Sequence, residues 1–272
     1  MRLAVYQCAS SPLDVAGNLR RLEATALRAA EQGADLLVCP EMFLTGYNIG
    51  AEAVSRLAEP CDGPSAQVIA RIAQAAGVAI LYGYPERAGA GLVYNAVQLI
   101  DAQGQRLGNY RKTHLYGELD HSLFSRGEAL DTALIEWQGW HLGLLICYDV
   151  EFPENTRRLA LAGADLVLVP TANMLPYDFV ATTTVRARAY ENQFYLAYGN
   201  YCAAEGDITY CGLSSVSSPD GTPLAQAGRD EELLLADLDR RVVEQARQQT
   251  PYLQDRRPEL YGALTAADRS QR

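Results

Sequence analysis

The chain has 272 residues, 49% of them hydrophobic, with a formal net charge of −10. That length and apolar content suffice to bury a sizeable core, and ordinary glycine and proline levels argue against disorder. An acidic surface repels phosphate backbones and draws cations in, so nucleic acid is not an expected partner. Met1 to Cys8 shows no basic region followed by a long apolar run, and no stretch approaches the roughly 18 apolar residues of a membrane span, so neither a signal peptide nor a membrane segment is expected. The cysteines form no C-x-x-C pair, which suits the reducing cytoplasm. The histidines, His114, His121 and His141, show no helical i, i+4 pairing, so neither a metal nor another cofactor is expected.

Short apolar runs alternate with helical patterns along the chain. Leu3 to Tyr6 reads as a first strand. Leu19, Leu22, Ala26 and Ala29 recur at three and four residues, the face of an amphipathic helix that Gly33 ends. Ala34 to Cys39 is a buried strand stopped by Pro40, and Ile69, Ile72, Ala73 and Ala76 mark a second helix closed by Gly77. Val78 to Tyr82, Val93 to Ile100 and Gln105 to Tyr110 read as strands, the last two joined into a hairpin by Asp101-Ala102-Gln103-Gly104. Leu142 to Ile146 is the next strand. Pro153 suits the first turn of a helix that runs to about Gly163, and Ala164 to Val169 is a strand stopped by Pro170. A further helix covers roughly Tyr177 to Asn192. Strands follow near Phe194 to Tyr198, Gly212 to Ser217 and Leu233 to Leu235, and the polar tail from about Arg247 is expected to drape over the surface.

One internal echo bears on the architecture. Gly33 to Pro40 and Gly163 to Pro170 both follow a helix and both run glycine, alanine, aspartate, buried strand, proline. Chance also produces such junctions, but the echo predicts two similar α/β halves packed together. No linker interrupts the chain, so residues 1–272 are expected to form a single domain.

Three residues stand out for chemistry. Cys147 lies between the strand ending at Ile146 and the polar, acidic stretch from Tyr148 to Glu154, a strand-to-helix turn that holds a nucleophile at a sheet edge. A cysteine taken alone is more often a small buried hydrophobe, and Cys39 also ends a strand. Glu41 follows a buried strand among apolar neighbours, where partial burial raises a carboxyl toward the range of a general base; a helix cap or ion pair is the alternative. Lys112, beside Arg111 after a predicted strand, by itself reads more readily as part of a solvated surface pair. His114 reads as a structural donor more than as a partner for Cys147, and Cys202 and Cys211 read as structural.

Together these segments carry a resemblance. Pro40-Glu41-Met42-Phe43-Leu44-Thr45-Gly46-Tyr47, then Tyr110-Arg111-Lys112-Thr113-His114-Leu115, then Leu145-Ile146-Cys147-Tyr148-Asp149-Val150-Glu151-Phe152-Pro153-Glu154 resemble, in order and spacing, the three signatures of the nitrilase (carbon–nitrogen hydrolase) superfamily. Within it, Lys112 to Asp120, Pro170 to Met174, Pro176 to Phe179 and Ala189 to Gln193 are most similar to the bacterial 5-aminopentanamidases and, in several segments, to the R-stereoselective amidases. Ser125-Arg126-Gly127 departs from the Pro-Gly common in the family after Phe124, and Arg126 is expected to alter the loop at the pocket mouth.

The resemblance implies a four-layer α-β-β-α sandwich and a homodimer or larger homo-oligomer. It implies a small amide with a cationic end as substrate, with Cys147 as nucleophile, Glu41 as proton-transfer carboxylate, and Lys112 and the Tyr148 backbone N–H holding the oxyanion. Glu118 becomes the expected second carboxylate that orients Lys112 or the attacking water, with an ordinary surface glutamate as the alternative. Tyr47, Tyr116, Asp178 and Glu191 are the candidates for the ammonium end, and Asn173 and Met174 are expected near the site. Competing readings are a nitrilase, a carbamoylase or an aliphatic amidase on the same three residues, and outside catalysis a binding protein or a redox sensor built on Cys147.

Overall fold

The computed structural model describes residues 1–128 and 134–264. It contains strands β1 (Arg2–Ala9), β2 (Leu36–Val38), β3 (Ala79–Arg87), β4 (Val93–Ile100), β5 (Arg106–Arg111), β6 (Leu134–Trp137), β7 (Trp140–Leu144) and β8 (Leu166–Pro170). They are followed by β9 (Tyr195–Gly199), β10 (Tyr201–Cys202), β11 (Ala204–Glu205), β12 (Ile208–Thr209), β13 (Ser215–Ser217), β14 (Pro223–Gln226) and β15 (Glu232–Asp237). The helices are α1 (Val15–Glu31), α2 (Ala51–Leu57), α3 (Pro64–Ala76), α4 (Gly117–Leu123), α5 (Pro153–Leu161), α6 (Val185–Asn192) and α7 (Arg240–Gln249).

A seven-stranded sheet runs β10-β1-β2-β3-β4-β5 with β15 also on β1, and a six-stranded sheet runs β14-β13-β9-β8-β7-β6. Side chains alternate across a strand, and β1 shows the consequence. Leu3 and Val5 join Leu36, Val38, Leu142, Leu144, Leu166 and Leu168 in one buried cluster between the sheets. Ala4 and Tyr6 point the other way, into a second cluster with Leu22, Ala26 and Ala29 of α1 and Ile69 and Ala73 of α3. Leu159 and Ala160 of α5 and Val185 and Ala189 of α6 join the inter-sheet cluster from the far side of the second sheet. Helices, sheet, sheet, helices is the expected four-layer order.

The internal echo has a structural counterpart. α1 ends at Gly33 (φ 75°) and leads into β2, which lies between β1 and β3 with parallel pairing on both sides. α5 ends before Gly163 (φ 100°) and leads into β8, parallel to β7 and β9 on either side. Even the polar joints repeat. The Asp35 carboxylate accepts from the Arg2 N–H at 2.6 Å, and the Asp165 carboxylate accepts from the His141 N–H at 3.1 Å, each clasping the neighbouring strand.

Several local expectations change. The helix expected from Tyr177 begins as a π-helical turn at Val180–Thr184 before α6. The polar tail starts later than Arg247, because Asp239 caps α7 by accepting from the Arg241 N–H and the helix runs to Gln249. Gln193 donates to Ala246 O at 2.7 Å and Arg247 donates to Ala164 O at 2.6 Å, which pins α7 beside α6 and β8. Beyond it the chain crosses α6, where the Tyr190 and Tyr252 hydroxyls lie 3.2 Å apart. Among the described residues no helix is long and apolar enough to cross a membrane.

Candidate active site

Lys112 follows β5 directly, and its N–H donates to Asn95 O at 2.8 Å, extending the ladder with β4 by one residue. Its ammonium lies 2.7 Å from Glu41 Oε1 and 2.6 Å from Asp120 Oδ2, and all three side chains are 0% exposed. A buried ammonium is tolerable only with such partners, since removing one leaves an uncompensated charge that costs about 3–5 kcal/mol. The neighbouring carboxylates outweigh the penalty of burial and hold Lys112 protonated, well above its ordinary 10.5. Asp120 is fixed in turn by the Tyr47 hydroxyl at 2.7 Å and the Tyr116 N–H at 2.9 Å.

Glu41 stands just past β2, in a loop that crowds β3. The loop turns through Met42 at φ 52°, and a side chain at Gly83 would put its Cβ 2.2 Å from the Met42 nitrogen. Glycine on β3 is therefore what lets Glu41 approach. Glu205 clamps the far end of the loop, accepting from the Tyr47 and Asn48 N–H groups at 2.9 Å each and from the Tyr210 hydroxyl at 2.7 Å. Glu41 Oε1 accepts from Lys112 and, at 2.6 Å, from Asn95 Nδ2. Glu41 Oε2 is buried and has no hydrogen-bond partner. Burial raises the Glu41 carboxyl above its ordinary 4.5, and Asp120 adds to the rise against the pull of Lys112.

Cys147 follows β7 by three residues and sits at φ 45°, a conformation that L-residues seldom adopt outside strained functional turns. Asp149 holds the turn. Its Oδ2 accepts from the Ile146 N–H at 3.1 Å and the Tyr110 hydroxyl at 2.9 Å, while its Oδ1 accepts from the His114 N–H at 2.9 Å and the Thr113 hydroxyl at 3.0 Å. One buried carboxylate thus ties the Cys147 turn to the Lys112 segment. Cys147 to Glu151 form a single 3₁₀ turn, whose first N–H groups, including that of Tyr148, find no acceptor within the turn itself. Burial and the Glu41 carboxylate push the Cys147 thiol up, opposed by Lys112, Thr171 and the Ala172 N–H, so the resting sulfur is protonated.

Cys147 opens into a cavity of about 240 Å³. Tyr47, Tyr116, Tyr148, Asn173 and Met174, all expected near the site, line it, together with Ala172, Tyr177 and Glu151. The tyrosines form an edge-to-face run, with Tyr116 centred 5.3 Å from Tyr148 and 6.0 Å from Tyr177. Asn173 is held by its Nδ2 donating to Tyr177 O at 3.1 Å and by its own N–H donating to Asn200 Oδ1 at 2.9 Å. A larger cavity of about 510 Å³ opens elsewhere, but its buried carboxylate, Glu86, is already paired with Arg111 at 2.7 Å and Asn109 at 2.8 Å, and its other carboxylate, Glu128, is exposed.

Other expectations are corrected. Glu118 is exposed, and the carboxylate that reaches Lys112 is Asp120, two residues on in the same helix α4. Asp178 pairs with Arg229 and Glu191 with Arg188, both at 3.0 Å, and neither lines the cavity; Glu151 is the carboxylate that does. Arg126 is exposed and off the cavity, in a segment whose Gly127 N–H donates to Lys112 O at 2.8 Å. His114 stacks on Phe152 with ring centroids 4.1 Å apart and faces Asp149, a structural placement.

Comparison with known proteins identifies the family. The carbon-nitrogen hydrolase family model matches residues 2–248. A hydrolase of Pseudomonas protegens is 66% identical, covering 97% of this chain and 92% of the relative. An (R)-stereoselective amidase of a Pseudomonas species is 39% identical over 97% of this chain and 94% of its own length. The solved amidase of Nesterenkonia sp. AN1 superposes with a TM-score of 0.84 at 37% identity, covering 97% of this chain and 99% of that one. A chain with this sandwich and this match from the first strand to the last long helix belongs to the carbon-nitrogen hydrolase, or nitrilase, superfamily.

Proposed function

We propose that the protein is a cysteine-dependent amidase that cleaves a small linear amide with a cationic tail, 5-aminopentanamide, to 5-aminopentanoate and ammonia. The observation that carries the reading is the buried Oε2 of Glu41, which has no hydrogen-bond partner while Oε1 is locked to Lys112, on a carboxylate whose charge acts on the Cys147 thiol. The relatives add support, since one is an (R)-stereoselective amidase and a glutamate-to-glutamine mutant of the Nesterenkonia amidase carries acrylamide added at its active-site cysteine.

In this mechanism the Cys147 thiol passes its proton to Glu41 Oε2 as sulfur bonds to the amide carbon. The carbonyl oxygen gains the negative charge and is held by Lys112 Nζ and the Tyr148 N–H; one such donor is worth about 3 kcal/mol of barrier. As the oxyanion collapses, the C–N bond breaks and the departing amine takes the proton from Glu41, leaving as ammonia. Water then gives a proton to Glu41 while attacking the thioester, the C–S bond breaks, and the sulfur recovers the proton. Asp120 keeps Lys112 charged and aimed throughout. The same reading has the enzyme act in the cytoplasm as a homodimer or larger homo-oligomer.

The test is an ammonia-release panel of ω-amino amides, neutral amides, nitriles and carbamoyl compounds. Turnover of amides, led by 5-aminopentanamide, is expected. Release from nitriles alone, carbon dioxide from carbamoyl compounds, or no ammonia from any amide would each reject the reading.

A further inference from the structure

The Cys147 cavity holds one carboxylate that the proposed chemistry leaves unused. Glu151 closes the 3₁₀ turn that Cys147 opens and lies on the cavity wall, half-buried. Its backbone is occupied, because Arg188 Nη2 donates to Glu151 O at 2.8 Å and Arg188 Nε to Val150 O at 3.0 Å. The Arg188 side chain that could have neutralised the carboxylate gives its remaining nitrogen to Glu191 instead, at 3.0 Å. Among the described residues no side chain donates a hydrogen bond to the Glu151 carboxylate or lies within ion-pair distance of it. Burial raises the Glu151 carboxyl above its ordinary 4.5 against the pull of Lys112 and Arg188, and an occupant that brings positive charge relieves that cost.

The surroundings favour such an occupant. The rings of Tyr116, Tyr148 and Tyr177 line the same cavity, and the face of a tyrosine ring attracts a cation as a carboxylate does. The charge balance points the same way: Glu41, Asp120 and Glu151 set three carboxylates against the Lys112 ammonium, and the Arg188 guanidinium that also acts on Glu151 is matched by its own partner Glu191, so the balance stays negative even with Glu41 protonated.

Resting on the amidase reading, we infer that Glu151 is the residue that sets tail specificity: it receives the positively charged end of the substrate while the amide lies against Cys147, and it rejects tails that end in a carboxylate.

Three amides of equal chain length isolate the tail charge: 5-aminopentanamide, hexanamide and the monoamide of adipic acid. The native enzyme should rank their kcat/KM in that order, each step by about tenfold or more, the range spanned by one charge-assisted hydrogen bond. In Glu151→Gln the ratio of 5-aminopentanamide to hexanamide should fall toward one, and Glu151→Lys should invert the order in favour of the adipic monoamide. A residue that only shaped the turn would lower all three rates together and leave the ratios alone. Equal turnover of the three amides by the native enzyme overturns the inference and the cationic-tail substrate with it, leaves the cysteine amidase chemistry standing, and needs no variant to fold. Unchanged ratios in Glu151→Gln overturn it as well. No ammonia from any of the three would overturn both.

Discussion

Replacing Asp149 by asparagine tests whether one buried carboxylate joins the nucleophile turn to the Lys112 segment. The size of the effect follows from the direction of two backbone donors. The His114 N–H points at Oδ1 and the Ile146 N–H at Oδ2, at 2.9 and 3.1 Å. A hydroxyl can rotate away from a new NH₂ group, as those of Tyr110 and Thr113 can, but a backbone N–H cannot. Whichever way asparagine turns, its NH₂ faces one backbone donor, and the bond on the other side loses its charged acceptor. Two hydrogen bonds to a charged group at about 1.5–3 kcal/mol each make a loss of about 3–6 kcal/mol. Against a total stability of about 5–15 kcal/mol, that is a large fraction. Urea unfolding should show a lower midpoint with the same slope, and kcat should fall because the positions of Cys147 and Lys112 loosen together. A variant with the native urea midpoint and native kcat would refute the idea that Asp149 is the joint.

Cys147→Ala should abolish ammonia release while the urea transition stays native, and iodoacetamide should add mass at Cys147 in the native protein unless substrate is present; turnover by the alanine variant rejects the nucleophile. Glu41→Gln should lower kcat by about a hundredfold to ten-thousandfold, the usual share of a general base. Because burial raises the Glu41 carboxyl and only the ionised form accepts a proton, the acid limb of kcat/KM should lie above pH 4.5, and a plateau that continues down to pH 4.5 contradicts the assignment. Gly83→Ala places a Cβ 2.2 Å from the Met42 nitrogen and 2.8 Å from the Glu41 carbonyl carbon. Neither backbone atom can move aside alone, so the variant should lose about 1–3 kcal/mol in urea unfolding. Its kcat should fall more than its KM rises, and native kcat would show that the loop tolerates the shift.

What the sequence made legible is what periodicity and turn chemistry encode. The β2 and β8 segments could be read as equivalents because each needs the same parts: a glycine that reverses after a helix, an aspartate that clasps the next strand, an apolar run, and a proline stop. The convergence of Glu41, Lys112 and Cys147 was legible only through three motifs taken together, since each residue alone has a common structural use. The carboxylates went astray for geometric reasons. Glu118 and Asp120 share the first turn of α4, and two residues on a helix are separated by about 200°, so only one of them can face Lys112. Nothing in composition says which, because the choice follows from where the chain enters the helix, at Tyr116, whose N–H Asp120 accepts. Asp178 and Glu191 were plausible as cation ligands until their arginines were in place, and those partners are 51 residues away in one case and three in the other. Glu151 is hidden for the opposite reason, as it lies inside the cysteine signature and reads there as part of the turn. Its carboxylate has no hydrogen-bonded arginine because Arg188 reaches across from α6 to the backbone and pairs with Glu191. A residue whose function depends on the partner it lacks is the kind that spacing along a chain cannot reveal.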